Sequence, residues 1–101
     1  MENTDKETFG TVLKKIRKSK GIGIKKLSSR LNISHGYISK IENNKSLPSE
    51  EFIRKISEIF DYDKEELMIR AGRIPEDILN IMRENPNEAA KYLRIRFVKD
   101  G

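Results

Sequence analysis

Apolar residues in this chain return every third or fourth position, in short bursts, and each burst is cut off by glycine, asparagine or proline. That rhythm follows the 3.6-residue turn of an α-helix, and no stretch alternates with the period of two that a strand needs. Short helices are marginal alone in water, so they must bury their apolar faces against one another. The spacing therefore predicts an all-α chain. Phe9, Val12, Leu13 and Ile16 mark a first helix over about residues 7–19, with Lys14, Lys15, Arg17 and Lys18 outside its stripe and Gly21 as its stop. Ile24, Leu27 and Leu31 mark a second. Ser34 is placed to cap a third, which turns Ile38 and Ile41 inward. After the loop 43–48, Ser49 caps a fourth helix carrying Phe52, Ile53, Ile56, Ile59 and Phe60. Asp63-Lys64-Glu65-Glu66 has the form of a capping box, with Asp63 in the Ser/Thr place, and opens a fifth helix that ends at Gly72.

Beyond Gly72 the pattern continues in two more helices. Pro75 suits the first turn of one that carries Ile78, Leu79, Ile81 and Met82. Asn85 is placed to cap the next, with Pro86 at its first position, Glu88 where a capping-box acid would stand, and Ala89, Ala90, Leu93 and Phe97 on one face. The expected organisation is a flexible terminus at 1–6, a five-helix domain at 7–72 and a helical extension at 73–101.

Charge divides the same chain unequally. Residues 1–45 hold 11 Lys+Arg against 4 Asp+Glu, a balance of +7, and residues 46–101 hold 10 against 12, a balance of −2, which together give the net +5. Such asymmetry points to one face suited to a polyanion, although solvated lysine-rich helices read the same way. With no cysteine there is neither a disulfide nor a thiolate metal site, and a single histidine leaves no pair for catalysis or metal binding. No stretch nears the ~20 apolar residues that span a bilayer, and the polar, acidic start Met1-Glu2-Asn3-Thr4-Asp5 is unlike a secretory signal. A cytoplasmic protein is expected, without membrane association. Glycine-rich phosphate loops are missing, and Glu65-Glu66 and Glu76-Asp77 stand at predicted helix starts, where acids belong for dipole reasons. No enzyme, no cofactor and no metal are expected.

The segment GIKKLSSRLNISHGYISKIENNK, Gly23 to Lys45, resembles the phage-repressor-like (Xre/Cro-type) helix-turn-helix family. The resemblance extends over about residues 7–72 and implies the lambda-repressor-like five-helix DNA-binding domain, with a C-terminal two-helix extension beyond it. The physical demands of the motif are met in turn. Ser28 is small where two helices cross, and Asn32 stands at the turn position where the family commonly has glycine, a position that must tolerate positive φ. Leu27, Leu31, Ile33, Ile38 and Ile41 pin the two helices to their neighbours. Ile41-Glu42-Asn43-Asn44-Lys45 is similar to the family's helix end, whose exposed polar groups face phosphate.

What the resemblance implies is a transcriptional regulator of double-stranded DNA, a repressor in the family's usual manner. The third helix enters the major groove with its N-terminal side chains at the base edges, which puts Ser34, His35, Gly36, Tyr37 and Lys40 at or near the bases. Tyr37 is placed for contact with a thymine methyl or the sugar-phosphate chain, with half-buried core as its other reading. Gly36 costs about 1 kcal/mol inside a helix relative to alanine, and close approach to the bases is one reason for it; easier packing beside Tyr37 is the other. Phosphate contacts fall to the backbone at Gly23 and Ile24, to Lys25, and to Asn43 and Lys45. Ile24 departs from the family, which commonly has a phosphate-anchoring glutamine there, and this leaves only the backbone N–H groups and helix dipole at that point. Two half-sites about 34 Å apart imply a homodimer. The apolar residues of the extension, Ile78, Met82, Leu93 and Phe97 among them, are expected to pair with a second copy, to dock on their own domain, or to bind a protein partner. An antitoxin that represses its own promoter while its tail holds a toxin is the rival reading, with a restriction-modification controller as a variant.

Overall fold

The computed structural model describes residues 7–98; the expected flexible terminus at 1–6 lies outside them. Seven helices follow one another: α1 (Phe9–Ser19), α2 (Ile24–Leu31), α3 (His35–Glu42), α4 (Glu50–Ile59), α5 (Lys64–Arg70), α6 (Glu76–Glu84) and α7 (Pro86–Phe97). No strand occurs among the described residues. The helix starts obey local chemistry. Thr8, Ser34, Ser49 and Asp63 each accept a hydrogen bond from a backbone N–H in the first turn of the helix that follows. Gly21 at φ +67° ends α1, and Asn32 at φ 56°, ψ 47° turns the chain from α2 into α3. The Ser28 hydroxyl closes that turn by donating to the Ile33 carbonyl, while Ile33 N–H donates to Ser28 O at 3.1 Å.

The core is built from α1–α5 and the turn after α4, where Phe60 is buried. Leu13, Leu27, Ile38, Ile53, Ile56 and Leu67 are fully buried, ringed by Phe9, Ile41 and Phe52. Phe9 and Tyr37 both meet the Phe52 ring edge-on, at centroid distances of 6.0 and 5.3 Å, an arrangement that aromatic quadrupoles favour. No residue of α6 or α7 joins this core. Those two helices pack chiefly on each other, and the base of the pair is held by the buried Pro75 and by Arg73, whose Nε and Nη2 both donate to Pro48 O at 3.2 Å.

Three expectations from sequence are corrected. Arg17 is not on the solvent side of α1 but buried. The capping box at α5 is half formed: Asp63 caps the Glu65 N–H, but the Glu66 carboxylate accepts instead from Tyr62 Oη at 2.9 Å and Arg70 Nε at 3.0 Å. These partners, the Arg70 hydrogen bond first, hold its carboxyl below the ordinary range. Asn85 does not cap α7. At φ −136°, ψ 57° its backbone lacks the extended geometry of an N-cap, and its Nδ2 donates back to Ile81 O at 2.9 Å, closing α6.

Candidate nucleic-acid interface

Two short helices joined at a left-handed asparagine present their outer surface on one side of the core. Along α3, Ile38 and Ile41 point inward and are buried, while Ser34, His35, Gly36 and Lys40 are exposed. Ser34, His35 and Gly36 stand at the start of the helix, the part that reaches base edges when it lies in a major groove, and Lys40 stands on the same outer side in its last turn. The Ser34 hydroxyl accepts from Tyr37 N–H at 3.2 Å, so capping already occupies one of its lone pairs. An alanine Cβ at Gly36 would meet nothing within 4 Å. Packing inside the molecule therefore gives no reason for glycine at this position.

Tyr37 is placed differently from the others. Its ring is half-buried against Phe52, and its hydroxyl accepts from Ser49 N–H at 3.2 Å. The side chain thus ties α3 to the start of α4, where a backbone donor would otherwise lack a partner. Of the two readings open in the sequence, the geometry is that of the half-buried one.

Flanking these residues are the groups expected at phosphate. Gly23 is the N-cap of α2 with an extended backbone and no side-chain cap, which leaves the first N–H groups of that helix directed outward. Lys25 is exposed beside them, whereas the Ile24 side chain packs against the core, so only its backbone is available there. Past α3, Asn43 and Lys45 are exposed. The Asn43 amide donates to Ser39 O at 2.9 Å and Lys45 N–H to Lys40 O at 2.8 Å, which together hold the loop against the helix end.

Glu42, expected among the exposed polar groups of this helix end, is buried instead. Its carboxylate accepts from Arg17 Nε at 2.7 Å and Nη2 at 2.9 Å, and the remaining Arg17 nitrogen, Nη1, donates to Ile22 O at 2.9 Å. The fork-to-fork geometry satisfies both charges. The Glu42 hydrogen bond, opposed in part by burial, raises the Arg17 guanidinium above its ordinary range. Two consequences follow for the surface. The end of α3 is clamped to α1 and to the loop before α2, and the only acid of residues 24–45 is kept away from the outer face.

Gly10 brings α1 against that same helix end. A Cβ there would stand 2.3 Å from Ile41 O, 2.9 Å from Asn44 Oδ1 and 3.1 Å from Glu42 O. Thr8 Oγ1 donates to Asn44 Oδ1 at 2.8 Å, fixing a residue that sits at φ 59°. Neither Gly10 nor the Arg17–Glu42 pair is evident from spacing, yet they set where α3 lies.

Comparison with known proteins agrees with this fold. The sequence model of a helix-turn-helix domain matches residues 10–73. A protein described as the HTH-type transcriptional repressor RghR of Bacillus subtilis (strain 168) is 34% identical over 71 residues, 69% of this chain and 53% of that protein. The chain thus spans about half the length of that curated relative. Among solved structures, the clp gene regulator ClgR from Corynebacterium glutamicum matches 98% of this chain and 100% of its own with a TM-score of 0.57. At 19% identity that is a likeness of fold.

Proposed function

Because this chain belongs to the helix-turn-helix domain family, we propose that it is a sequence-specific regulator of transcription that binds double-stranded DNA as a homodimer, acting in the cytoplasm as a repressor. The observation that carries the reading is the exposed face of α3, with Ser34, His35 and Gly36 at its start and Lys40 in its last turn facing out while Tyr37, Ile38, Ile41 and Glu42 hold the helix from behind. His35 and Lys40 offer hydrogen-bond donors to base edges, and the bare Gly36 backbone lets the helix sit close to them. Gly23, Ile24 and Lys25 contact one stretch of phosphates through the start of α2, and Asn43 and Lys45 another through the loop after α3. Repression is supported by the name of the Bacillus relative. The family is one of binding modules and not of enzymes.

The reading predicts strong salt dependence. If a dimer neutralises roughly eight phosphates, the log–log slope of affinity against salt is about −7, so affinity for a cognate duplex falls about ten-thousand-fold between ~50 and ~200 mM salt. An anisotropy titration at several salt concentrations measures this. Binding that ignores salt, or that is missing from every duplex tried at low salt, contradicts it.

The uncovered apolar surface of α6 and α7 supports a second reading for the extension alone. There it holds a different protein, as an antitoxin tail holds its toxin, while α2 and α3 act on the promoter. Co-purification with the product of a neighbouring gene, set against self-association, separates the two.

A further inference from the structure

The expected interface residues divide in the structure. Leu79, Met82, Ala89 and Ala90 are half-buried, whereas Ile78 is 40%, Ile81 56%, Leu93 42% and Phe97 66% exposed. In all, eight large apolar side chains between Ile74 and Val98 stay exposed, more apolar surface than two short helices leave to water without a partner. On α6, the exposed Ile78 and Ile81 stand three residues apart and so share one face of the helix, and the exposed Ile74 lies just before it.

Charge is sorted between the two helices. α6 carries Glu76, Asp77 and Glu84 against Arg83, and α7 carries Lys91, Arg94 and Arg96 against Glu88. One arm of the hairpin is apolar and acidic, and the other is apolar and basic. Pairing two α6 helices side by side would oppose like charges, and so would pairing two α7 helices.

We propose that the hairpin pairs with the hairpin of a second copy about a twofold axis, with α6 of each copy lying against α7 of the other. The apolar stripes then meet, and the acidic arm faces the basic arm twice. Both complementary surfaces reside on one chain, which is the property a closed, self-matching interface requires. This is why the occupant is a second copy and not a foreign helix. The proposal rests on the dimer reading above and gives it a surface.

Charge exchange tests it on the full chain, at residues exposed enough that folding is expected to survive. Glu76→Lys with Glu84→Lys makes both arms basic, and Lys91→Glu with Arg94→Glu makes both acidic. By sedimentation equilibrium the wild type is expected to be a dimer. Each exchanged chain is expected to dimerise about a hundredfold or more weakly, and an equimolar mixture of the two to form a one-to-one dimer. A monomeric wild type, exchanged chains that self-associate as tightly as wild type, or a mixture that does not pair overturns the proposal. A duplex bearing a single half-site reads the DNA surface separately. Wild type and both exchanged chains are expected to bind it alike, and failure of all three there would count against the DNA reading while leaving the pairing result intact.

Discussion

Gly10→Ala is expected to lower the melting temperature by roughly 10–20 °C, although alanine is the better helix former. Propensity alone favours the substitution by up to about 1 kcal/mol. The new Cβ, however, would lie 2.3 Å from the Ile41 carbonyl oxygen, and that oxygen belongs to the backbone of α3. Relief requires α1 to move away from the end of α3, which disturbs Phe9 and Leu13 in the core and the Thr8–Asn44 hydrogen bond. Overpacking of this kind costs about 1–3 kcal/mol and sometimes more, and in a domain of this size each kcal/mol shifts Tm by about 4–8 °C. Gly36→Ala is the matched control. It lies in a helix with open space around it, so Tm is expected to hold or rise by a few degrees. Thermal melts by circular dichroism check both, and equal melting of the two variants would contradict the packing argument.

The second large effect is expected at the buried ion pair. Arg17→Ala leaves the Glu42 carboxylate, 3% exposed, without its partner. Breaking a buried pair from one side costs about 3–5 kcal/mol, a large share of the roughly 3–10 kcal/mol that ~0.05–0.15 kcal/mol per residue gives a domain of this length. The variant is expected to melt at least about 12 °C below the wild type. Arg17→Met combined with Glu42→Leu removes both charges and keeps most of the volume, so it is expected to recover most of the loss. Urea melts of the single and double variants measure the coupling directly. If the double variant is no more stable than Arg17→Ala, the clamp acts through shape and not through charge.

How much of this was legible in the sequence depended on the range of the interaction. α2 and α3 were readable because their signals are local: apolar spacing, an asparagine at the turn, and Ser34 one residue before the helix. The caps at Ser34, Ser49 and Asp63 were readable for the same reason. Arg17 reads as solvated from sequence because a lysine-rich helix hides one buried cation among several exposed ones, and its partner Glu42 lies 25 residues away. Gly10 could not be singled out without α3 in place, because nothing local demands glycine in a first helical turn. From sequence Asn85 reads as a cap for α7 because two helices compete for it across a single junction, and its backbone conformation shows which one it serves. Spacing leaves Tyr37 between two readings, and the neighbouring Phe52 and Ser49 supply what spacing lacks.

Enrichment of bound duplexes from a random library tests most directly that α3 is the helix that reads the bases. Wild-type protein is expected to enrich a two-part sequence whose half-sites are centred about one helical turn apart. His35→Ala with Lys40→Ala is expected to lose or change that preference while keeping salt-sensitive binding to any duplex, because the phosphate contacts remain. If the doubly substituted protein enriched the same sequence as the wild type, α3 would not be reading the bases.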